Sequence, residues 1–220
     1  MKTLLTLIAV SFSTVLATAP AVGQTLNVMR GIDAPTYDAH KTTWAPTSDI
    51  VNMIQDTLVA LDWDGRTPIP YLAKSWDITP DGKTYTFKLR DDVSFCSGKK
   101  FTAADVVYSF QRLKDPAIRG PYAWRAGDIK SIRAADPYTV VYELNEPYSE
   151  LLLQLTMFTN VIINKESVET LGPDYGSKGV DGTGPWCFVS WQPRTEVILK
   201  RHDAYKWGPA MYKNPGPVKF

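Results

Sequence analysis

A mixed α/β fold is what the sequence predicts, on three observations. Two runs alternate apolar and polar residues with the period of a strand, KTYTFKLR at 83–90 and PYTVVYELNEP at 137–147. Two others repeat apolar residues at helical spacing: Ile50, Val51, Ile54 and Leu58 in one, Val106, Val107, Phe110 and Leu113 in the other. The chain also has material for a substantial core, with 220 residues, 44% of them hydrophobic and 12% aromatic, which places it between one large domain and two small ones.

The first 23 residues read as a signal peptide. Lys2 precedes an apolar run from Leu4 to Leu16, and Ala21 and Gly23 supply the small residues that cleavage before Gln24 requires. The alternative, a short amphipathic helix of the fold, lacks a polar face beyond Ser and Thr. No cysteine lies near the cleavage point to accept lipid, and no later stretch is apolar for long enough to cross a bilayer. The sequence therefore predicts an exported, soluble product.

Along the mature chain, TLNVMRGI reads as a first strand and DAPTYDAHKTTWAPTSD as an irregular stretch after it. Thr47 or Ser48 then caps the first helix. WDGRTPIPY supplies Gly and Pro punctuation, and SWDI and KTYTFKLR flank a turn at Pro80, Asp81 and Gly82. In this hairpin Tyr85, Phe87 and Leu89 share one face. The chain turns again at Ser97 and Gly98. Thr102 follows at an N-cap position with Asp105 three residues on, and Phe101 and Val106 are spaced as a hydrophobic staple. That helix stops by Asp115 and Pro116. Tyr138, Val140, Tyr142 and Leu144 line one face of a further strand, and 147–158 reads as a very apolar helix.

Charge and motifs narrow the function. With 24 basic against 23 acidic residues there is no net field for a phosphate backbone or an anionic membrane, so nucleic acid is not an expected partner. No GxxxxGK, HExxH, dinucleotide fingerprint or GxSxG is present, and two histidines give little material for a triad. No catalytic residue is assigned. Carboxylates paired as in glycosidases are the one enzymatic reading left, that of a secreted hydrolase. Cys96 and Cys187, an even count in an exported chain, favour a disulfide over two buried thiols or a metal site. Such a bridge would restrict the unfolded chain by about 4 to 5 kcal/mol of loop-closure entropy. His40 and His202 stand far from both cysteines in sequence, without the short spacings of zinc sites.

The segment DTLVALDWDGRTPIPYLAKSWDITPDGKTYTFKLRDDVSFCSGKKFTAADVVYSFQRL resembles the signature region of extracellular solute-binding proteins of family 5, the peptide, dipeptide and nickel binding group of ABC importers. GTGPWCFVSWQPRTEVILKRHDAYKWG resembles a later segment of the same family, in the same order. The resemblance implies a periplasmic receptor that closes two lobes around a peptide or similar small solute and delivers it to an ABC permease complex at the inner membrane. It implies no cofactor and a monomer at full length; nickel is not expected as a direct ligand, because the two histidines are too few and lie in unpromising places. Oligopeptides, dipeptides, opine-like conjugates and sugars all remain open as ligands.

Family members are considerably longer. The resemblance therefore makes residues 24–220 a part of lobe I, with an extra hairpin and helix subdomain at about 61–180 and the second lobe missing, so that the piece alone should bind little and aggregate readily. Within it the resemblance points to Tyr37 and Trp44 in the irregular loop, Trp124 and Arg125 in PYAWRAGD, and Met157 and Thr159 after the apolar helix as ligand-binding residues. Trp186 is expected to pack around the Cys96–Cys187 bridge.

Overall fold

The computed structural model describes residues 25–217. The signal peptide expected at 1–23 lies outside them. Residues 25–32 form no strand, contrary to the sequence reading. A strand is held by its neighbours' N–H and C=O groups, and no described segment pairs with this one.

The first helix, α1, spans Ala45–Ile54 and starts before the expected cap. Pro46 sits in its first turn, where a fixed φ and a missing N–H cost nothing. Thr47 is drawn inside the helix, its hydroxyl donating to the Thr36 carbonyl at 3.2 Å. Leu58 falls beyond the helix and leads into β1 (Val59–Leu61), which pairs antiparallel with β2 (Pro68–Pro70).

The predicted hairpin is β3 (Ala73–Ile78) with β4 (Thr84–Leu89). Its turn has Gly82 at φ +69°, with the Gly82 N–H donating to the Thr79 carbonyl at 2.8 Å. The second helix, α2 (Ala103–Lys114), opens as the sequence predicts. Asp105 accepts from the Thr102 N–H at 2.9 Å, and Phe101 and Val106 are both buried. The strands β5 (Ile129–Asp136) and β6 (Thr139–Leu144) complete an antiparallel sheet in the order β3-β4-β6-β5. The apolar stretch expected as one helix at 147–158 is shorter: α3 covers Leu151–Gln154, and a 3-10 turn covers Phe158–Asn160. After α4 (Lys165–Leu171) the described chain ends its regular structure with the hairpin β7 (Trp186–Gln192) and β8 (Glu196–Arg201).

Two cores result. In the first, Phe87, Leu89, Val140, Tyr142 and Leu144 of the sheet bury against Val106, Phe110 and Leu113 of α2, and Tyr205 and Trp207 join from the far end of the chain. The Phe110 and Tyr142 rings meet edge-to-face at 5.3 Å between centroids. The second core gathers Tyr37, Val51, Ile54, Val161, Ile163 and Tyr175 under Phe188, Trp191, Val197 and Leu199 of the β7–β8 hairpin. Residues of the 61–180 range thus contribute to both.

Between them lies a buried polar stripe on α2, formed by Asp105, Ser109 and Arg112. The Ser109 hydroxyl accepts from the Ile163 N–H at 2.9 Å and donates to the Asp105 carbonyl at 2.6 Å. Asp105, Ser109 and Arg112 thereby each have a partner, as burial without one would be costly.

Cys96 and Cys187 are joined, as expected, with α carbons 5.7 Å apart. The bridge ties the turn before α2 to β7. Beside it, the GTGP turn packs directly on the end of α1: the Gly184 N–H donates to the Ile54 carbonyl at 3.2 Å, and the Cys96 N–H donates to the Gly182 carbonyl at 2.9 Å. A Cβ added at Gly182 would stand 1.8 Å from the Ile54 carbonyl oxygen. Only glycine allows that approach.

Gly182→Ala is accordingly expected to lower the free energy of unfolding by about 3 kcal/mol or more, because the clashing atom is backbone and cannot rotate away. Gly31→Ala, with nothing within 4 Å of its added Cβ, is expected to change it by less than about 0.5 kcal/mol. Urea titrations giving equal midpoints for the two variants would contradict this packing.

Candidate functional site

The irregular loop is held by its own short polar side chains. The Ala34 N–H donates to the Asp33 carboxylate at 2.8 Å, the Asp38 N–H to the Thr36 hydroxyl at 3.0 Å, and the Trp44 N–H to the Thr42 hydroxyl at 3.0 Å. The Tyr37 N–H reaches the Gly176 carbonyl at 2.8 Å. The loop therefore has a defined course without regular structure, and it presents Trp44 outward with 47% of its surface exposed.

Trp44 lines an open cleft of about 550 Å³ together with Asp33, Pro35, Trp191, Pro193 and Arg194. Asp33 organises the opposite wall. Its carboxylate accepts from the Trp191 indole N–H at 3.2 Å and from the Arg194 backbone N–H at 2.6 Å. Arg194 stands at φ +63° in the β7–β8 turn, an uncommon backbone for a residue with a Cβ. Tyr37 is fully buried behind this wall, its ring edge-to-face with Trp191 at 5.0 Å. In this structure Tyr37 thus supports Trp191 from within. Trp191 is the cleft residue that sequence reasoning missed; the signal available was an aromatic just before a Pro-containing hairpin turn.

Trp124 and Arg125 lie elsewhere, in a 3-10 turn at Ala123–Ala126. Trp124 is 55% exposed and borders a second open cleft with Lys114, Asp128 and Tyr148. The Arg125 guanidinium stacks 4.6 Å from the Tyr122 ring centre and 4.9 Å from that of Trp124, and donates to the Gln154 side-chain oxygen at 2.6 Å. From Gln154 a chain of contacts continues. Its backbone carbonyl accepts from the Asn160 amide at 2.8 Å, and the Phe158–Asn160 turn packs on Ala39–Lys41. Met157 is half-buried at the head of that turn and Thr159 is buried within it. The fold therefore links Arg125, Met157 and Thr159 to the loop carrying Tyr37, while Trp44 faces the cleft it shares with Trp191.

Beneath the loop sits a buried ion pair. Arg112 grips Asp38 with both nitrogens, at 2.6 and 3.0 Å, and its Nη1 also donates to His40 Nδ1 at 3.0 Å. Tyr175 lies over the guanidinium at 5.4 Å, and its hydroxyl accepts from the Gln55 amide at 3.1 Å. Burial first, and then the Arg112 charge, lower the pKa of His40 to about 4, against a smaller opposing pull from Asp38. The imidazole is neutral at physiological pH and accepts from Arg112. The pair anchors the loop to α2 at no cost of an unmatched charge.

Chemically, the arrangement offers aromatic faces, a held guanidinium and backbone groups on a rigid support, which suits non-covalent binding. The chain also resembles known proteins. Residues 67–220 match the family described as Bacterial extracellular solute-binding proteins, family 5 Middle. The chain is 30% identical over 200 residues to the periplasmic oligopeptide-binding protein OppA of Escherichia coli K12, a match covering 83% of this chain and 36% of that protein. It superimposes on the periplasmic binding protein DppA of Helicobacter pylori, solved with the peptide STSA, at TM-score 0.70 and 34% identity over 80% of this chain and 38% of that one. The Agrobacterium binding protein AgaA, solved with agropinic acid, gives TM-score 0.73 and 28% identity over 79% of this chain and 35% of that one. The chain thus spans little more than a third of the length of these relatives.

A pH titration checks the buried histidine. Unfolded His40 takes up a proton near pH 6.5, whereas folded His40 resists until about pH 4. Its stabilising contribution is complete above about pH 6.5 and is lost as pH falls toward 4. Denaturant unfolding between pH 7.5 and 4.5 is expected to show a steeper loss for the parent protein than for His40→Asn, with the difference approaching about 3 kcal/mol. Identical slopes would place His40 in contact with water.

Proposed function

The chain belongs to the bacterial extracellular solute-binding proteins of family 5, and on that premise we propose that it forms one wall of a periplasmic receptor that captures a peptide or similar small solute for an ABC permease. The observation that carries this reading is the Trp44–Trp191 cleft. Two indoles and two prolines face open space on a support built from Asp33, Tyr37 and the β7–β8 hairpin. Rigid aromatic surface of this kind binds ligand with little further loss of side-chain freedom.

Tyr37, Trp44, Trp124, Arg125, Met157 and Thr159 form the proposed ligand-binding set, with different roles. Trp44 and Trp124 touch solute directly. Tyr37 and Thr159, both buried, act by fixing the loop and turn behind them, and Arg125 is oriented for its part by Gln154. The sheet and α2 serve as scaffold, within the subdomain proposed at about 61–180. Solute release without chemical change, export to the periplasm and hand-over at the inner membrane complete the proposal. Among the described residues no helix is long and apolar enough to cross a membrane.

The test is to incubate the protein, as its gene encodes it, with mixed peptides and to identify bound material by mass spectrometry. Intact solute is expected. Cleavage products that disappear on substituting paired carboxylates would establish the hydrolase reading instead. With a bound solute identified, Trp44→Ala is expected to weaken affinity by about tenfold or more, the usual scale for loss of a stacked aromatic. Trp63→Ala serves as the control, since Trp63 is exposed in the β1–β2 turn and donates to the Met211 carbonyl away from the cleft. Calorimetry giving unchanged affinity for Trp44→Ala would remove this cleft from the site.

A further inference from the structure

Outside the clefts already described, the fold gathers one group of metal-ligating side chains. Both sulfurs of the Cys96–Cys187 bridge and a ring nitrogen of His202 lie within 4.8 Å of one another. Sequence spacing gave no hint of this. The hairpin register places Cys187 opposite Lys200, and His202, just past β8, returns alongside Pro185, whose carbonyl accepts the His202 N–H at 3.0 Å.

The imidazole is arranged as metal-binding histidines are. It is buried between Gly184 and the ring of Trp207, which it meets edge-to-face at 5.4 Å between centroids. Nδ1 lies 2.9 Å from the Gly184 carbonyl oxygen. A carbonyl can only accept, so the proton sits on Nδ1 and the Nε2 lone pair is left for a ligand. Cys96 is half-buried and borders an open cleft with Ser97, Asp181 and Lys200, which gives reductant and ion a way in.

We propose that, once a dithiol reduces the bridge, Cys96, Cys187 and His202 form a three-ligand site for a borderline-soft divalent cation, with Zn²⁺ as the probe. The reductant breaks the S–S bond with two electrons and two protons, giving two thiols, and closes into its own disulfide. The cation then displaces both thiol protons to solvent, while His202 contributes its lone pair and a water takes the fourth position. Donors in a tetrahedral site of this kind stand about 3.4 to 3.8 Å apart, so side-chain adjustments of about 1 Å suffice. Two thiolates neutralise the cation, and two thiolates with an imidazole favour zinc over magnesium or calcium. The bound ion would then join the turn before α2 to β7, as the disulfide does in the oxidised chain.

The test uses the protein reduced with a non-thiol phosphine, with both thiols verified by alkylation, and titrated anaerobically with Co²⁺ and then Zn²⁺. One equivalent of Co²⁺ is expected to give the intense visible bands of a tetrahedral site with sulfur charge transfer, and Zn²⁺ is expected to bleach them. His202→Asn keeps a donor for the Gly184 carbonyl and removes the second nitrogen, and it is expected to weaken Co²⁺ binding at least tenfold. Should the reduced chain unfold, one equivalent of Zn²⁺ is expected to restore its circular dichroism. A pink octahedral spectrum, parent-like affinity in His202→Asn, or failure of Zn²⁺ to restore an unfolded reduced chain would each overturn the proposal. The oxidised protein should bind neither ion here.

Discussion

The buried carboxylate of Asp56 is the constraint on which the rest of the structure depends. Almost wholly enclosed, it accepts hydrogen bonds from the Tyr71 hydroxyl, from the Thr183 hydroxyl at 3.0 Å and from the Trp207 indole at 3.1 Å. Tyr205 extends the set through the Tyr71 hydroxyl at 3.0 Å. The backbone carbonyl of Asp56 also accepts from the Ile162 N–H at 2.9 Å. One residue thus collects segments separated by up to 151 positions. Burial raises its pKa, against a smaller opposing pull from the three donors and from His202.

Asp56 stands two residues past the end of α1, so its partners fix where that helix ends and where the GTGP turn meets it. From there the β7–β8 hairpin is carried over the second core, and Trp191 reaches Asp33. The binding surface proposed for Trp44 and Trp191 is therefore a consequence of long-range closure, reinforced by the Cys96–Cys187 bridge on one side and the Asp38–Arg112 pair on the other. Its walls come from distant segments, the loop of Asp33 and Trp44 and the β7–β8 hairpin, joined through Trp191.

Local rules carried the fold well where local interactions decide it. The turn at Gly82, the capped helix after Thr102 and the inward faces of β4 and β6 were all legible, because alternation, capping and glycine turns act over a few residues. The failures were non-local. An apolar alternating run at 25–32 is a strand only with a partner, and Pro46 outweighed Thr47 as the start of α1. The polar stripe of α2 could not be foreseen, since Asp105, Ser109 and Arg112 look like a solvent face until the second core is placed against it. At the candidate site the loop carrying Tyr37 and Trp44 was legible as a stretch without regular structure. The burial of Tyr37, the role of Trp191 and the approach of His202 to the cysteines were invisible, because each depends on how β7 and β8 pair and where that hairpin lands.

Hydrogen exchange on Asp56→Asn tests this dependence most directly. The substitution preserves volume and turns one acceptor into a donor facing groups that also donate. If Asp56 closes the structure, exchange will accelerate together at Leu72 and Ala73, at Ile162, at Gly184 and at Tyr205, whose amides lie in the segments it gathers. Acceleration confined to the few residues flanking position 56, with Ile162, Gly184 and Tyr205 protected as before, would show that those segments are held without it.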